Sequence, residues 1–242
     1  MTTIHGSRAA LWERVSPDVA RTGAGMNCKS FCRNADRLLL RQLITHQYHH
    51  QQGACTMSQA TMSGVINGVD VDRLDQTVQA IQQNPGLGTS QFRALNRWVN
   101  GGHNRSTIQA FYAAGQEDTT RAKPFELDAD EPPILLGKDQ GANPVEFVLH
   151  ALAACLTTSL VYHAAARGIR IESVESKLEG DLDLQGFLGL SDHVRRGYTH
   201  VRAHFTIKSD ASATQLEGLT KFSPVFDIVS NPVPVSISIE TR

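Results

Sequence analysis

The stretch Asn143–Leu160, NPVEFVLHALAACLTTSL, decides how the rest of the chain is read. Asn143 is a good N-cap, Pro144 suits the first helical position, and Glu146 stands three residues after the cap. Together they predict a capping box, in which the Glu146 carboxylate reaches back to the backbone N–H of the cap. Gly168 marks the end of a helix running from Pro144 to Arg167. Val145, Phe147, Val148, Leu149, Leu152 and Leu156 make this helix apolar on nearly every side, which predicts burial all round.

Two ionisable residues lie on that helix. Glu146 and Cys155 are nine positions apart, which at about 100° per residue puts them on opposite sides. Along the axis they are about 13 Å apart. Two groups so placed cannot meet within one helix, so a shared site needs a second copy of it and predicts a homodimer. Cys155 has two readings, a small buried hydrophobe or a reactive thiol.

Outside the helix, the pattern changes near residue 62. Residues 1–62 hold three of the four cysteines and a Gln/His-rich patch with weak periodicity. We read them as a disordered leader or the product of a start codon placed too early. Within them, Cys28, Cys32, His46 and His50 approximate a zinc-finger spacing. Asp36 stands where such a finger needs an aromatic, so a His-rich leader is preferred. Residues 63–242 read as one α+β domain. A helix runs through RLDQTVQAIQQ, capped by Asp70 or Asp72. SQFRALNRWV and HNRSTIQAFYAAG flank an NGG hairpin turn, and TTRAKPFELDAD is a third strand. IRIESVESKLEGDLDL and THVRAHFTIK predict two strands around the glycine-rich excursion QGFLGLSDHVRRGY. A helix over about 211–222, a turn SPVFDIVSN and a last strand VPVSISIE close the chain.

Composition narrows the function classes. With 40% hydrophobic and 19% charged residues, the chain can bury a core, and a net charge of −1 offers no global attraction to nucleic acid or anionic membrane. No uninterrupted apolar run suggests a membrane span, the start has no secretory pattern, and the cysteines form no disulfide framework. A reducing cytoplasm is expected. No phosphate loop, cofactor or metal is expected.

The stretch GANPVEFVLHALAACLTTSL and the downstream SPVFDIVSNPVPVSISI together resemble the OsmC/Ohr family of osmotically inducible and organic-hydroperoxide-resistance proteins. The resemblance covers about Val65 to Arg242. It implies antiparallel sheets around a long buried central helix in an intertwined homodimer with sites at the subunit interface. It also implies a stress-response, peroxiredoxin-like oxidoreductase in which a cysteine thiolate attacks an organic hydroperoxide. Cys155 matches the attacking cysteine and Glu146 the family glutamate. The family's arginine, which stabilises the thiolate, is matched best by Arg105 in NGGHNRSTI; Arg97 and Arg121 are alternatives. The resolving position is Ser223, and a hydroxyl cannot condense with a sulfenic acid to a disulfide. The implied cycle is then reduction of a hydroperoxide by Cys155 with an external thiol as reductant. The alternative is a catalytically silent dimer of the same fold that binds a small hydrophobic ligand.

Overall fold

The structure is a computed structural model that describes residues 64–241. The chain divides into two units, residues 1–58 and 59–242, and the described residues fall in the second. The expectations for residues 1–62, including Cys28, Cys32, His46, His50 and Cys55, lie outside the described residues.

The expected α+β architecture is present, with antiparallel pairing in every sheet. A two-residue hairpin, β1 (Val65–Ile66) and β2 (Val69–Asp70), leads into α1 (Val71–Gln83). Of the two aspartates proposed as its cap, Asp70 serves: its side chain accepts from the Arg73 N–H at 3.0 Å. A three-stranded sheet follows, ordered β3 (Leu95–Asn100), β4 (His103–Ile108) and β7 (Phe125–Ala129). Gly101, at φ +58°, supplies the left-handed residue that the β3–β4 turn requires. Between β4 and β7, the short hairpin β5 (Phe111–Ala113) and β6 (Gln116–Asp118) leaves the sheet.

The long helix α2 spans Pro144–Ala165 with both halves of the capping box formed. The Asn143 side chain accepts from Val145 N–H at 3.0 Å, and Glu146 Oε2 accepts from Asn143 N–H at 2.9 Å. At the far end Gly168, at φ +72°, lets the Ile169 N–H return to the Ala164 carbonyl at 3.0 Å. Beyond it β8 (Ile171–Asp181) and β9 (His200–Ser209) form a long hairpin. Its excursion contains the single-turn α3 (Leu184–Phe187) and returns through Tyr198, whose hydroxyl donates to the Val145 carbonyl at 2.9 Å. Then come α4 (Ala213–Thr220) and α5 (Pro224–Ser230).

Two expectations are corrected. SPVFDIVSN is a helix, α5, and not a turn: Ser223 caps it by accepting from Phe226 N–H at 3.2 Å, and Pro224 occupies its first position. The closing segment VPVSISIE lies in residues 232–241, which form no strand. A strand is defined by its neighbour, and this segment has no ladder within the described chain. Its alternating Val233, Val235, Ile237 and Ile239 are exposed.

Within a single chain α2 is covered along one side. Leu152, Leu156, Ser159, Leu160, Ala164 and Ala165 are buried, covered by β8, α4 and α5 and, at the C-terminal end, by a small core of Ile66, Val69 and Val71. Val148, Ala151, Thr158 and Tyr162 remain exposed. These four positions share one side of the helix, since each follows the last by three, seven or four residues. By length and composition alone α2 also meets the requirement for a membrane span. Its packing against β8, α4 and α5 is that of a core helix in a folded domain.

Candidate functional site

Cys155 is half-buried, and the helical wheel explains why. At about 100° per residue it projects between Val148 and Tyr162, within the uncovered stripe. The buried stripe Leu152–Leu156–Leu160 is centred about a quarter turn away. The thiol therefore does not pack in the core of its own chain. Glu146, in the first turn of the same helix, is engaged by the capping bond to Asn143. Ser223 is 1% exposed and is the N-cap of α5. The adjoining Phe222 stacks on His163 at 4.0 Å between ring centroids. Burial, and then the Arg167 guanidinium, hold the His163 imidazole below its ordinary pKa.

Arg105 lies on β4, directly across from Asp128 on β7 and Arg97 on β3. Its Nε donates to Asp128 Oδ1 at 2.9 Å and its Nη2 to Oδ2 at 3.1 Å. The same Oδ1 is 2.8 Å from Nε2 of His103, a residue only 8% exposed. The hydrogen bonds from Arg105 and then His103 hold the Asp128 carboxyl below its usual range. The alternatives to Arg105 are placed differently. Arg121 lies over the Phe111 and Phe125 rings and donates to the Gln109 carbonyl at 2.9 Å. Arg97 is exposed beside Arg105.

Neither His103 nor Asp128 stood out in the sequence. The alternation of a strand puts His103 and Arg105 on one face, but the register that sets Asp128 opposite Arg105 is a tertiary fact.

Asp130, just past the end of β7, is 2% exposed. Burial raises its pKa, yet the N–H groups of Gln140, Glu131 and Lys138 outweigh this, and its carboxyl sits below the usual range. They fasten the loop leading to α2, whose cap Asn143 donates to Glu131 Oε2 at 2.6 Å. A carboxyl with a lowered folded pKa adds stability above its unfolded pKa and loses it as the pH falls through the folded value. Acid unfolding of the wild type should therefore steepen below about pH 4. Asp130→Asn should be less stable at pH 7 and flatter below about pH 4, which urea titrations across that range would read. A slope unchanged by the substitution would remove Asp130 from the acid response.

A groove of about 670 Å³ opens on the covered side of α2, away from Cys155. Leu152, Leu156 and Leu160 form its floor, and Val201, Phe205 and Ile207 of β9 form one wall. Among the described residues no cluster of three His, Cys, Asp or Glu side chains is arranged to hold a metal ion.

Residues 137–238 match the family model of OsmC-like protein. Over those residues the chain is similar to the OsmC-like family. They include Glu146, Cys155 and Ser223; Arg105 and its sheet lie outside them. No curated protein sequence matches the chain. Similar solved structures include an OsmC-like protein from Mycoplasma pneumoniae, at 16% identity and TM-score 0.44, covering 59% of this chain and 89% of that one. An organic hydroperoxide resistance protein OsmC from Legionella pneumophila aligns at 17% identity and TM-score 0.41, covering 58% and 90%. An OsmC-like protein of unknown function from Vibrio cholerae aligns at 14% identity and TM-score 0.39, covering 60% and 94%. The likeness rests on the sequence match of residues 137–238.

Proposed function

We propose that the protein is a thiol-dependent peroxidase that reduces organic hydroperoxides in a reducing cytoplasm. The observation that carries this reading is the placement of Cys155 on the uncovered stripe of α2, half-exposed and outside the core of its own chain. A cysteine kept for packing would sit on the Leu152–Leu156–Leu160 side. In the proposed reaction the Cys155 thiolate attacks the outer oxygen of ROOH. The S–O bond forms, the O–O bond breaks, and the leaving alkoxide takes a proton to become ROH. Arg105 stabilises the charge on thiolate and leaving oxygen, and Glu146 orients it from the second subunit. The resulting sulfenic acid is attacked by an external thiol, releasing water. A second thiol then frees Cys155 as the mixed disulfide is cleaved.

The reading requires a homodimer, and the exposed apolar surface supports one. Leu95 is 76% exposed, Trp98 69% and Ile239 84%, in addition to the open stripe of α2. A monomer rarely leaves so much large apolar surface in water. Sedimentation at micromolar concentration should find a dimer. A monodisperse monomer would end the shared-site mechanism.

The direct test is one equivalent of cumene hydroperoxide followed by dimedone, with the Cys155 peptide examined by mass spectrometry. A dimedone adduct at Cys155 is expected; no adduct and no oxidation there would overturn the peroxidase reading. Ser223→Cys adds a second test. If the two Cα atoms lie within about 7 Å, the new thiol should capture the sulfenic acid as a disulfide. A sulfenic acid that persists on Cys155 in that variant would remove Ser223 from the resolving position and leave the peroxidase intact.

A second reading has its own support in the 670 Å³ groove: a silent dimer that holds a small hydrophobic ligand there. Its residues do not include Cys155. Ligand retention by Cys155→Ser, with no peroxide consumption by the wild type, would favour that reading.

A further inference from the structure

The cluster around Arg105 has more order than an exposed ion pair usually shows. Arginine carries five N–H donors in a planar fork. Asp128 engages one on Nε and one on Nη2, which leaves the second N–H of Nη2 and both N–H groups of Nη1 without a partner among the described residues. Arg97, cross-strand from Arg105, repels it and gives it no anchor. His103 holds Asp128 through Oδ1, the oxygen that also accepts from Arg105 Nε, from a nearly sealed position, 8% exposed. Since Asp128 is an acceptor, His103 presents Nε2–H to it.

We propose that Asp128, itself held by His103, is the positioning residue for Arg105, fixing the guanidinium so that its Nη1 edge faces the developing oxyanion. This rests on the peroxidase reading above. A long arginine side chain has considerable rotational freedom, and one bidentate carboxylate removes most of it before substrate arrives. The carboxylate does this at a cost, since it also neutralises part of the cation's charge. His103 offsets that cost by sharing the Oδ1 lone pairs.

The test measures the second-order rate of Cys155 oxidation by cumene hydroperoxide and the pH midpoint of Cys155 alkylation by iodoacetamide. Both are read on the Cys155 peptide of the full chain. Arg105→Ala should slow oxidation about 100-fold, and Asp128→Asn about 10-fold. Both should move the alkylation midpoint upward. The double variant should be no slower than Arg105→Ala alone, because Asp128 acts only through Arg105. Asp128→Asn at the wild-type rate, or a double variant well below Arg105→Ala, overturns the positioning role and leaves the peroxidase reading standing. Arg105→Ala at the wild-type rate overturns the role of Arg105, and the positioning role falls with it. Where Asp128→Asn fails to fold, His103 variants decide. His103→Gln keeps an N–H for Asp128 and should match the wild type, while His103→Ala should be several-fold slower. Equal rates for the two overturn the role of His103.

Discussion

Cys155→Ser should reduce the consumption of cumene hydroperoxide to the rate of free dithiothreitol alone. The serine hydroxyl is almost wholly protonated at neutral pH and is a poor nucleophile toward a peroxide oxygen, whereas a thiolate is a good one. The change replaces sulfur by oxygen at a half-buried position on the uncovered stripe of α2. It should therefore alter stability by no more than about 1 kcal/mol. Loss of activity with an unchanged melting temperature is the expected pair of results. Cys28, Cys32 and Cys55 remain in that variant, so it also isolates what they can do. Turnover that survives at the wild-type rate would move the chemistry away from Cys155 altogether.

The largest stability effect is expected at Leu160. Its side chain is 1% exposed and belongs to the stripe that α2 presents to β9, α4 and α5. Leu160→Ala should cost about 2–5 kcal/mol, from lost transfer free energy and the cavity left behind. Against a typical stability of about 5–15 kcal/mol, that is enough to shift the denaturant midpoint well downward. The groove beside Leu160 is already open, so water enters part of the new space and the lower half of the range is expected. Val148→Ala provides the contrast. Val148 is 39% exposed on the uncovered stripe, and its truncation should be nearly silent in a monomer. A loss at Val148 that depends on protein concentration would mark the stripe as a subunit contact. A wild-type midpoint for Leu160→Ala would show that its side chain adds nothing to the core.

Much of the architecture was legible because it is encoded locally. The capping box of α2 needs only Asn143, Pro144 and Glu146 in order. The β3–β4 hairpin needs only a glycine turn between two strand-forming runs. The alternation of Val201, Ala203, Phe205 and Ile207 announced a strand with one face on the core. Local readings failed where two signals share the same residues. Ser223 and Pro224 suit a turn as well as a helix start, and packing against α2 decided for the helix.

The candidate site divides in the same way. Sequence alone determined the spacing of Glu146 and Cys155 and the hydroxyl at Ser223, since these follow from residue identity and the helical repeat. It also determined that the helix is too apolar to stand free in water. Only the tertiary structure decided which stripe of that helix is covered, and so that Cys155 lies on the open side. It alone paired Arg105 with Asp128 and His103, residues 23 and 25 positions from that aspartate. It alone left Val233, Val235, Ile237 and Ile239 without a ladder among the described residues. The physical reason is common to all three. Capping and helical periodicity act within a few residues, whereas strand register and the choice of buried face depend on which distant segments pack together.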